Sequence, residues 1–273
     1  MLSVIIPASN EEDWIGRCLD ALFASDPVPG GAEAIVVANG CRDATAARAR
    51  EMTDAALTRG WALHVIELAI GGKPGALNAG DAQARGGMRA YLDADVRVSA
   101  PLMAQIVAAL DGDQPLYAGG TPQIPRPESM VSRAYGRFWQ GLPFNRSPAP
   151  GYGLFAVNRA GRARWGDFPG IISDDTWVRL QFTPVERVQV AARYDWPMIE
   201  GFAALVRVRR RQNAGVAEIA QRWPWLMARE AKPQLSPAGI ARMVLADPAG
   251  FLAYAAVSAA VKAGRSKGWT RGR

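Results

Sequence analysis

Apolar residues fall in short blocks along this chain, and the spacing inside the blocks switches between two periods. Residues 2–8, LSVIIPA, form a compact apolar run of strand length; after SNEED, the residues Trp14, Ile15, Cys18, Leu19 and Leu22 recur at the spacing of a one-sided helix. The alternation continues with AEAIVVANG as a second strand, DATAARAREMTDAAL as a helix, ALHVIEL as a third strand, PGALNAGDAQARG as a helix and RAYLDADV as a fourth strand. Successive units of this length predict an α/β fold, a mostly parallel sheet flanked by helices on both faces.

Ligands of open α/β sheets sit at the carboxyl ends of the strands. Ser9, Asn10 and Glu11 follow the first strand, Asn39, Gly40 and Asp43 follow the second, and Asp93 and Asp95 close the fourth, so the three clusters are expected on one rim. Two carboxylates two residues apart on a strand share a face, where like charges repel. Such a pair makes most sense beside a cation, and hard oxygen ligands suit Mg²⁺ or Mn²⁺. Some of these residues also read as helix starts: Ser9 or Asn10 can cap one helix, Asp43 or Thr45 the next.

Beyond residue 100 the pattern loosens. A helix is predicted from Pro101 to Leu110, TPQIPRPES reads as irregular, MVSRAYGRFWQGL as helical, GYGLFAVNRAG as a strand and ISDDTWVRLQF as a turn into a helix. Near the end two helices carry their own start signals, Ser236 with Pro237 and Asp247 with Pro248. The expected organisation is a main domain over 1–215, with halves at 1–115 and 116–215, and a helical extension over 216–273 that ends in the basic tail KAGRSKGWTRGR.

Composition narrows the picture. At 273 residues and 49% apolar content the chain can bury its own core, and Cys18 and Cys41 lie in no metal-like or disulfide-like spacing, which suits a reducing compartment. The amino terminus has no basic stretch before its apolar run, and that run stops at Pro7, so it reads as a strand rather than a signal peptide. No unbroken apolar stretch reaches the roughly 18 to 20 residues that span a bilayer. Net charge is +7 but unevenly placed: residues 1–100 carry nine Lys and Arg against thirteen Asp and Glu, so the rest holds an excess of eleven positive charges. An anionic membrane surface or a polyanionic substrate accounts for that excess better than nucleic acid, for which no binding signature is present. A cytoplasmic protein is expected, with peripheral contact to an anionic bilayer through the last apolar helix and its basic tail.

SVIIPASNEE, VVANGCRDAT, GGKPGALNAG, YLDADV and ISDDTWVRL stand in the order and approximate spacing seen in family 2 glycosyltransferases of the GT-A fold, and the resemblance covers roughly residues 1–210. The resemblance implies transfer of a sugar from a nucleotide diphosphate to the hydroxyl of a carbohydrate or lipid-linked acceptor, with inversion. It implies that Pro7, Ser9, Asn10 and Glu11 lie against the nucleobase and ribose, that Asn39 contacts the base, and that Lys73 and Asn78 lie near the donor. Asp95 would bind Mn²⁺ or Mg²⁺, and Asp93 the ribose or the metal. Asp175 would act as catalytic base with Asp174 beside it on the acceptor side, where Gly151 to Gly153 and Arg159 are also expected. Ser173 or Asp174 can equally cap the helix that follows.

The segment QRWPW at 221–225 does not match the Q-x-x-R-W pattern of processive members, so a single-addition enzyme is expected. His64, the sole histidine, reads as a packed or surface imidazole rather than a ligand. A role in envelope or exopolysaccharide assembly follows by family analogy alone. Two other classes share some of these features: a nucleotidyltransferase, though PASNEE is acidic where such an enzyme carries a basic glycine-rich loop, and a non-catalytic membrane-associated scaffold.

Overall fold

In a computed structural model, residues 1–146, 148–231 and 235–264 are described. The first half follows the apolar pattern closely. β1 (Leu2–Ala8) lies inside the sheet with all but Pro7 buried, and α1 (Ile15–Phe23) packs Ile15, Cys18, Leu19, Leu22 and Phe23 inward. β2 (Ala32–Asn39) follows. The single helix expected next is broken into α2 (Thr45–Arg50) and α3 (Thr53–Thr58), and at the break the Thr53 hydroxyl donates to the Arg50 carbonyl at 2.7 Å. β3 (Trp61–Leu68), α4 (Lys73–Gln83) with Pro74 in its first turn, and β4 (Met88–Leu92) complete the alternating run.

The fourth strand is shorter than its sequence suggests. It stops at Leu92, and Asp93 to Val96 form a turn closed by the Val96 amide donating to the Asp93 carbonyl at 3.1 Å. The two acids therefore stand on a turn at the strand's end and not on one face of a pleat.

β5 (Arg97–Val98) and α5 (Leu102–Ala109) lead into a strand that the pattern did not predict. β6 (Tyr117–Gln123) contains Gly119, Gly120 and Pro122, which read as breakers. The glycines are needed because the strand is crowded: a Cβ on Gly120 would come within 2.7 Å of Leu102 and 3.0 Å of the Ala192 carbonyl, and the pairing with its neighbour shifts register there. After α6 (Met130–Gln140), β7 (Leu154–Val157), α7 (Arg159–Arg162) and α8 (Asp174–Arg179) comes β8 (Arg187–Asp195), followed by the long α9 (Phe202–Arg222), α10 (Pro237–Ala246) and α11 (Pro248–Ala263).

The eight strands form one mixed sheet in the order β3-β2-β1-β4-β7-β6-β8-β5. Pairs among β1 to β4 are parallel, as is β6 with β8; β7 runs antiparallel to both β4 and β6, and β5 runs antiparallel to β8. One face is sealed by α1 and α5 through Leu19, Leu22, Leu102 and Ile106, the other by α4, α8 and α9 through Leu77, Trp177, Val178 and Ile219. A third, smaller cluster joins α6, α9 and α11 through Tyr135, Leu205, Val206 and Val257. The boundary expected at residue 215 falls inside α9, and α11 packs back onto α6, with Phe138 against Phe251 and Tyr135 stacked on Tyr254.

Among the described residues no single helix is long and apolar enough to cross a membrane; α10 and α11 reach that composition only as a pair bent by 115°. The last nine residues of the basic tail, 265–273, lie outside the described residues.

Glu186 shows how the second half is tied together. Its carboxylate accepts from both Arg164 amino groups, at 2.5 and 2.9 Å, and from the Thr183 backbone amide and hydroxyl. The Arg164 bonds lead these contacts in holding it at about 2 against its usual 4.5. A lowered carboxyl stabilises the fold at pH values above its unfolded value, and the benefit is lost as pH falls towards 2. Glu186→Gln is expected to cost about 2 kcal/mol at pH 7 in urea unfolding, with the gap to the native protein closing at about pH 2.

Candidate active site

The loops after β1, β2 and β3 meet at the carboxyl edge of the sheet, and they are stitched to one another before any ligand is considered. The Glu11 amide donates to the Thr45 hydroxyl at 2.8 Å, the Glu12 amide to Asp43 at 3.2 Å, and the Ala44 amide returns a bond to Glu12 at 2.9 Å. Asn10 takes a left-handed backbone (φ 58°) and accepts from the Arg42 amide at 2.8 Å. Asn39 is 2% exposed, and its amide links all three strand ends: it donates to the Ala8 carbonyl at 2.9 Å and accepts from the Gly72 amide at 2.9 Å. Gly40 sits at φ +57° where a Cβ would stand 2.6 Å from the Gly71 nitrogen, so the close approach of these loops requires glycine.

This rim borders a cleft of about 1100 Å³. Pro7, Ser9, Asn10, Glu11 and Asn39 line one side; Lys73, Asp93 and Asp95 lie beside them; Asp174 and Asp175 come from the first turn of α8. Of the candidate donor, metal and catalytic residues named from the sequence, all but Asn78 therefore border one space. Two expectations are corrected. Asn78 spends its amide on the backbone of Phe168, accepting at 2.7 Å and donating at 3.1 Å, and so pins the loop that leads to Asp174 rather than facing the cleft. Arg159 lies about 3.5 Å from where a Gly87 Cβ would stand, at the opposite end of β4, whereas Gly153 does line the cleft.

Lys73 joins the two acidic pairs. Its ammonium donates to Asp93 at 2.8 Å and stands 3.2 Å from Asp174. Burial works to lower the Lys73 pKa, but the charges of Asp174 and Asp93 outweigh it and hold the ammonium well above its ordinary value. Asp174 itself is only 5% exposed, and burial, reinforced by Asp175 and Asp93 against the attraction of Lys73, raises its pKa to about 6. Asp175 is oriented by the Thr176 amide, which donates to it at 2.6 Å.

The acids fit a divalent cation. Among the described residues no group of three or more His, Cys, Asp or Glu is gathered as a ready-made cage. A hard cation here would lean on one or two carboxylates, Asp95 with Asp93, and take its remaining oxygens from a diphosphate and water, which is the usual manner of Mg²⁺. His64 is not part of this set: it lies on β3, 3.6 Å from the buried Glu33.

The far wall of the cleft was not legible in the sequence. Trp139, Tyr152 and Trp196 form an aromatic cluster with ring centres 5.0 to 5.8 Å apart, and α9 contributes Leu205, Val208, Arg209, Arg211 and Gln212. QRWPW, which resembles the processive motif only superficially, serves as a brace: Arg222 donates to the Gly170 carbonyl at 2.8 Å, and Trp223 packs on Trp177 of α8.

Comparison with known proteins agrees with this geometry. Residues 3–163 match the family description "Glycosyl transferase family 2", and the chain belongs to that family and is a glycosyltransferase. No curated protein matches the chain. Among solved structures it is similar to the mannosyltransferase PcManGT from Pyrobaculum calidifontis in complex with GDP-Man and Mn²⁺ (20% identity, TM-score 0.61, covering 97% of this chain and 76% of that one). It is also similar to S. aureus TarS 1-349 in complex with UDP-GlcNAc (16%, 0.54, 93% and 73%). A third is glucosyl-3-phosphoglycerate synthase from Mycobacterium tuberculosis in complex with Mn²⁺, UDP and glucosyl-3-phosphoglycerate (17%, 0.52, 81% and 79%). At these identities the likeness shows the shared GT-A-like fold.

The raised Asp174 pKa has a consequence for stability. Because the folded state holds this proton up to about pH 6 while the unfolded chain releases it near 3.8, the stabilisation is fully present below about pH 4 and is lost as pH rises through 6. Ionised Asp174 then costs on the order of 3 kcal/mol. In the absence of nucleotide and divalent cation, Asp174→Asn is expected to melt higher than the native protein at pH 8 and at the same temperature at pH 4, as followed by calorimetry.

Proposed function

We propose that the protein transfers one sugar at a time from a nucleotide diphosphate to an acceptor hydroxyl, with inversion at the anomeric carbon and with Mn²⁺ or Mg²⁺ as cofactor. The observation that carries the reading is the meeting of Asp93, Asp95, Lys73, Asp174 and Asp175 in one cleft at the carboxyl edge of the sheet. The complexes of similar folds with GDP-Man, UDP-GlcNAc and Mn²⁺ support the donor class and the cation.

In this reading the loop from Pro7 to Glu11 receives the nucleoside, and Asn39 holds that loop in place from below. Asp95, with Asp93, holds the cation, which would neutralise the diphosphate as a leaving group. Lys73 keeps Asp93 and Asp174 together and adds a positive charge beside the same site. The Asp175 carboxylate takes the proton of the acceptor hydroxyl as its oxygen bonds to the anomeric carbon. The bond from that carbon to the diphosphate breaks, and the electron pair leaves with the nucleotide. Attack opposite the leaving group inverts the centre. Family membership displaces the nucleotidyltransferase reading, and a scaffold role would leave the acids without a task.

The setting is envelope or extracellular polysaccharide assembly at the cytoplasmic face of a membrane, and the contact runs through the bend between α10 and α11. There Leu245 is 83% and Leu252 67% exposed, with Ile240 and Arg242 also outward. The positive excess of the later residues complements an anionic surface. Leu245→Glu with Leu252→Glu is expected to reduce cosedimentation with phosphatidylglycerol vesicles several-fold; unchanged partitioning would count against the contact.

For the catalytic roles, UDP and GDP are titrated by calorimetry with and without Mn²⁺. One nucleotide is expected to bind in a metal-dependent manner, with binding lost in Asp95→Ala. Asp175→Asn is expected to retain that affinity within about threefold while turnover drops by about 10³. Retained turnover in Asp175→Asn would remove it as the base.

A further inference from the structure

α8 carries a rival for its own base. Asp175 and Arg179 stand four residues apart on this helix, and an aspartate followed by an arginine at that spacing is a side-chain pair that helices favour. Both charges reach the same phenols: Tyr117 of β6 and Tyr152, just before β7, feel Asp175 and Arg179 together, and Arg179 feels Asp175 directly. Yet among the described residues no ion pair joins the two. Asp175 accepts from the Thr176 amide at 2.6 Å and borders the cleft.

Arg179 is held elsewhere. Its two terminal nitrogens donate one each to the two carboxylate oxygens of Glu230, at 3.1 and 2.6 Å, and the two side chains are 7% and 11% exposed. A two-pronged pair of this kind fixes direction as well as distance. Glu230 lies 51 positions further along the chain, directly after the 3-10 turn Pro224–Arg229 that follows α9. Its carboxylate also acts on a second buried guanidinium, Arg187, whose own N–H groups go to the carbonyls of Arg179, Phe182 and Arg229. One anion therefore serves two cations. A buried cation that loses its partner is driven to another anion. The other groups facing Asp175 offer none: Asp174 is engaged by Lys73 at 3.2 Å, and burial keeps the hydroxyls of Tyr117, Tyr152 and Tyr194 protonated.

We propose that Glu230 is a positioning residue for the transfer: by holding both arms of Arg179 it keeps that guanidinium off Asp175 and leaves the base facing the acceptor. The inference rests on the reading of Asp175 as the base, and it adds to the reaction a residue that does not line the cleft.

The first arm of the test needs no substrate. Crystal structures of full-length Glu230→Gln and Glu230→Asp are expected to show the Asp175 carboxylate within ion-pair distance of Arg179; Glu230→Asp keeps the charge but not the reach to both nitrogens, and it carries this arm if Glu230→Gln does not fold. Absence of that pair overturns the proposal whatever the turnover. The second arm follows release of UDP from UDP-GlcNAc or of GDP from GDP-Man, with Mn²⁺ and with water in place of the acceptor. In Glu230→Gln, kcat is expected to fall by about tenfold or more while KM for the donor stays within about twofold. Replacing both partners, Arg179→Met with Glu230→Met, removes the rival together with its restraint and is expected to bring kcat back to within about threefold of the native value. A merely structural clamp predicts the reverse, a double variant as slow as the single one or slower, and that result overturns the proposal. Equal release by the native protein and Asp175→Asn would instead remove Asp175 as the base, a failure of the earlier reading that the crystal structures do not share.

Discussion

One ammonium group holds the chemistry of this cleft in register. Lys73 opens α4, Asp93 follows β4 and Asp174 opens α8, so three stretches far apart in sequence are held together by a single cation. Without that charge, Asp93, Asp174 and Asp175 would stand as three carboxylates in a partly desolvated space, where each disfavours ionisation of the others. With it, the turn after β4 and the first turn of α8 are drawn to one side of the cleft. The residual strain is visible in Asp174, which stays protonated up to about pH 6 despite its cationic neighbour. Stability is given up at this point in the fold to keep charge concentrated where a diphosphate and its cation can use it.

The sheet explains why the loops can reach this point. Parallel strands β1, β2, β3 and β4 end at one edge, and the loops after the first three are cross-linked by Asn39, Thr45, Asp43 and Glu12 before a ligand arrives. Asn39 is well suited to the task because an amide both donates and accepts; a carboxylate could not donate to the Ala8 carbonyl. The acceptor side is built differently. There α6, α9 and α11 pack aromatic and aliphatic side chains into a small separate core, and the aromatic cluster and arginines of the cleft wall are mounted on it. The last helix is thus part of the wall's foundation.

Legibility followed the range of the interactions. The β1 to β4 units were readable because a period-two or helical apolar pattern lies within each short segment; Glu11, Asp93 and Asp95 were found because loops after parallel strands share an edge, whereas Asp174 and Asp175 were found only through the family resemblance. β8 carried a readable signal, since Val188, Val190, Ala192 and Tyr194 alternate in the sequence and lie on the more buried positions of the strand. β6 did not: its glycines serve a close approach to Leu102 and Ala192 that no local pattern reveals. In α9 a run of arginines obscures the apolar positions that pack inward.

The amino-acid sequence by itself determined the alternating architecture, the family and the identity of the acids, because each depends on short segments whose composition sets their own conformation. It also determined that Asp93 and Asp95 stand together, since two residues cannot be far apart in space. The tertiary structure alone decided that they stand on a turn, that Lys73 bridges Asp93 to Asp174, that Asn39 and Asn78 are tied up in holding loops, and that α9 lines the cleft with arginines. Those are matters of distance between residues tens to more than a hundred positions apart, and such distances are set by how the sheet and helices pack rather than by any local preference.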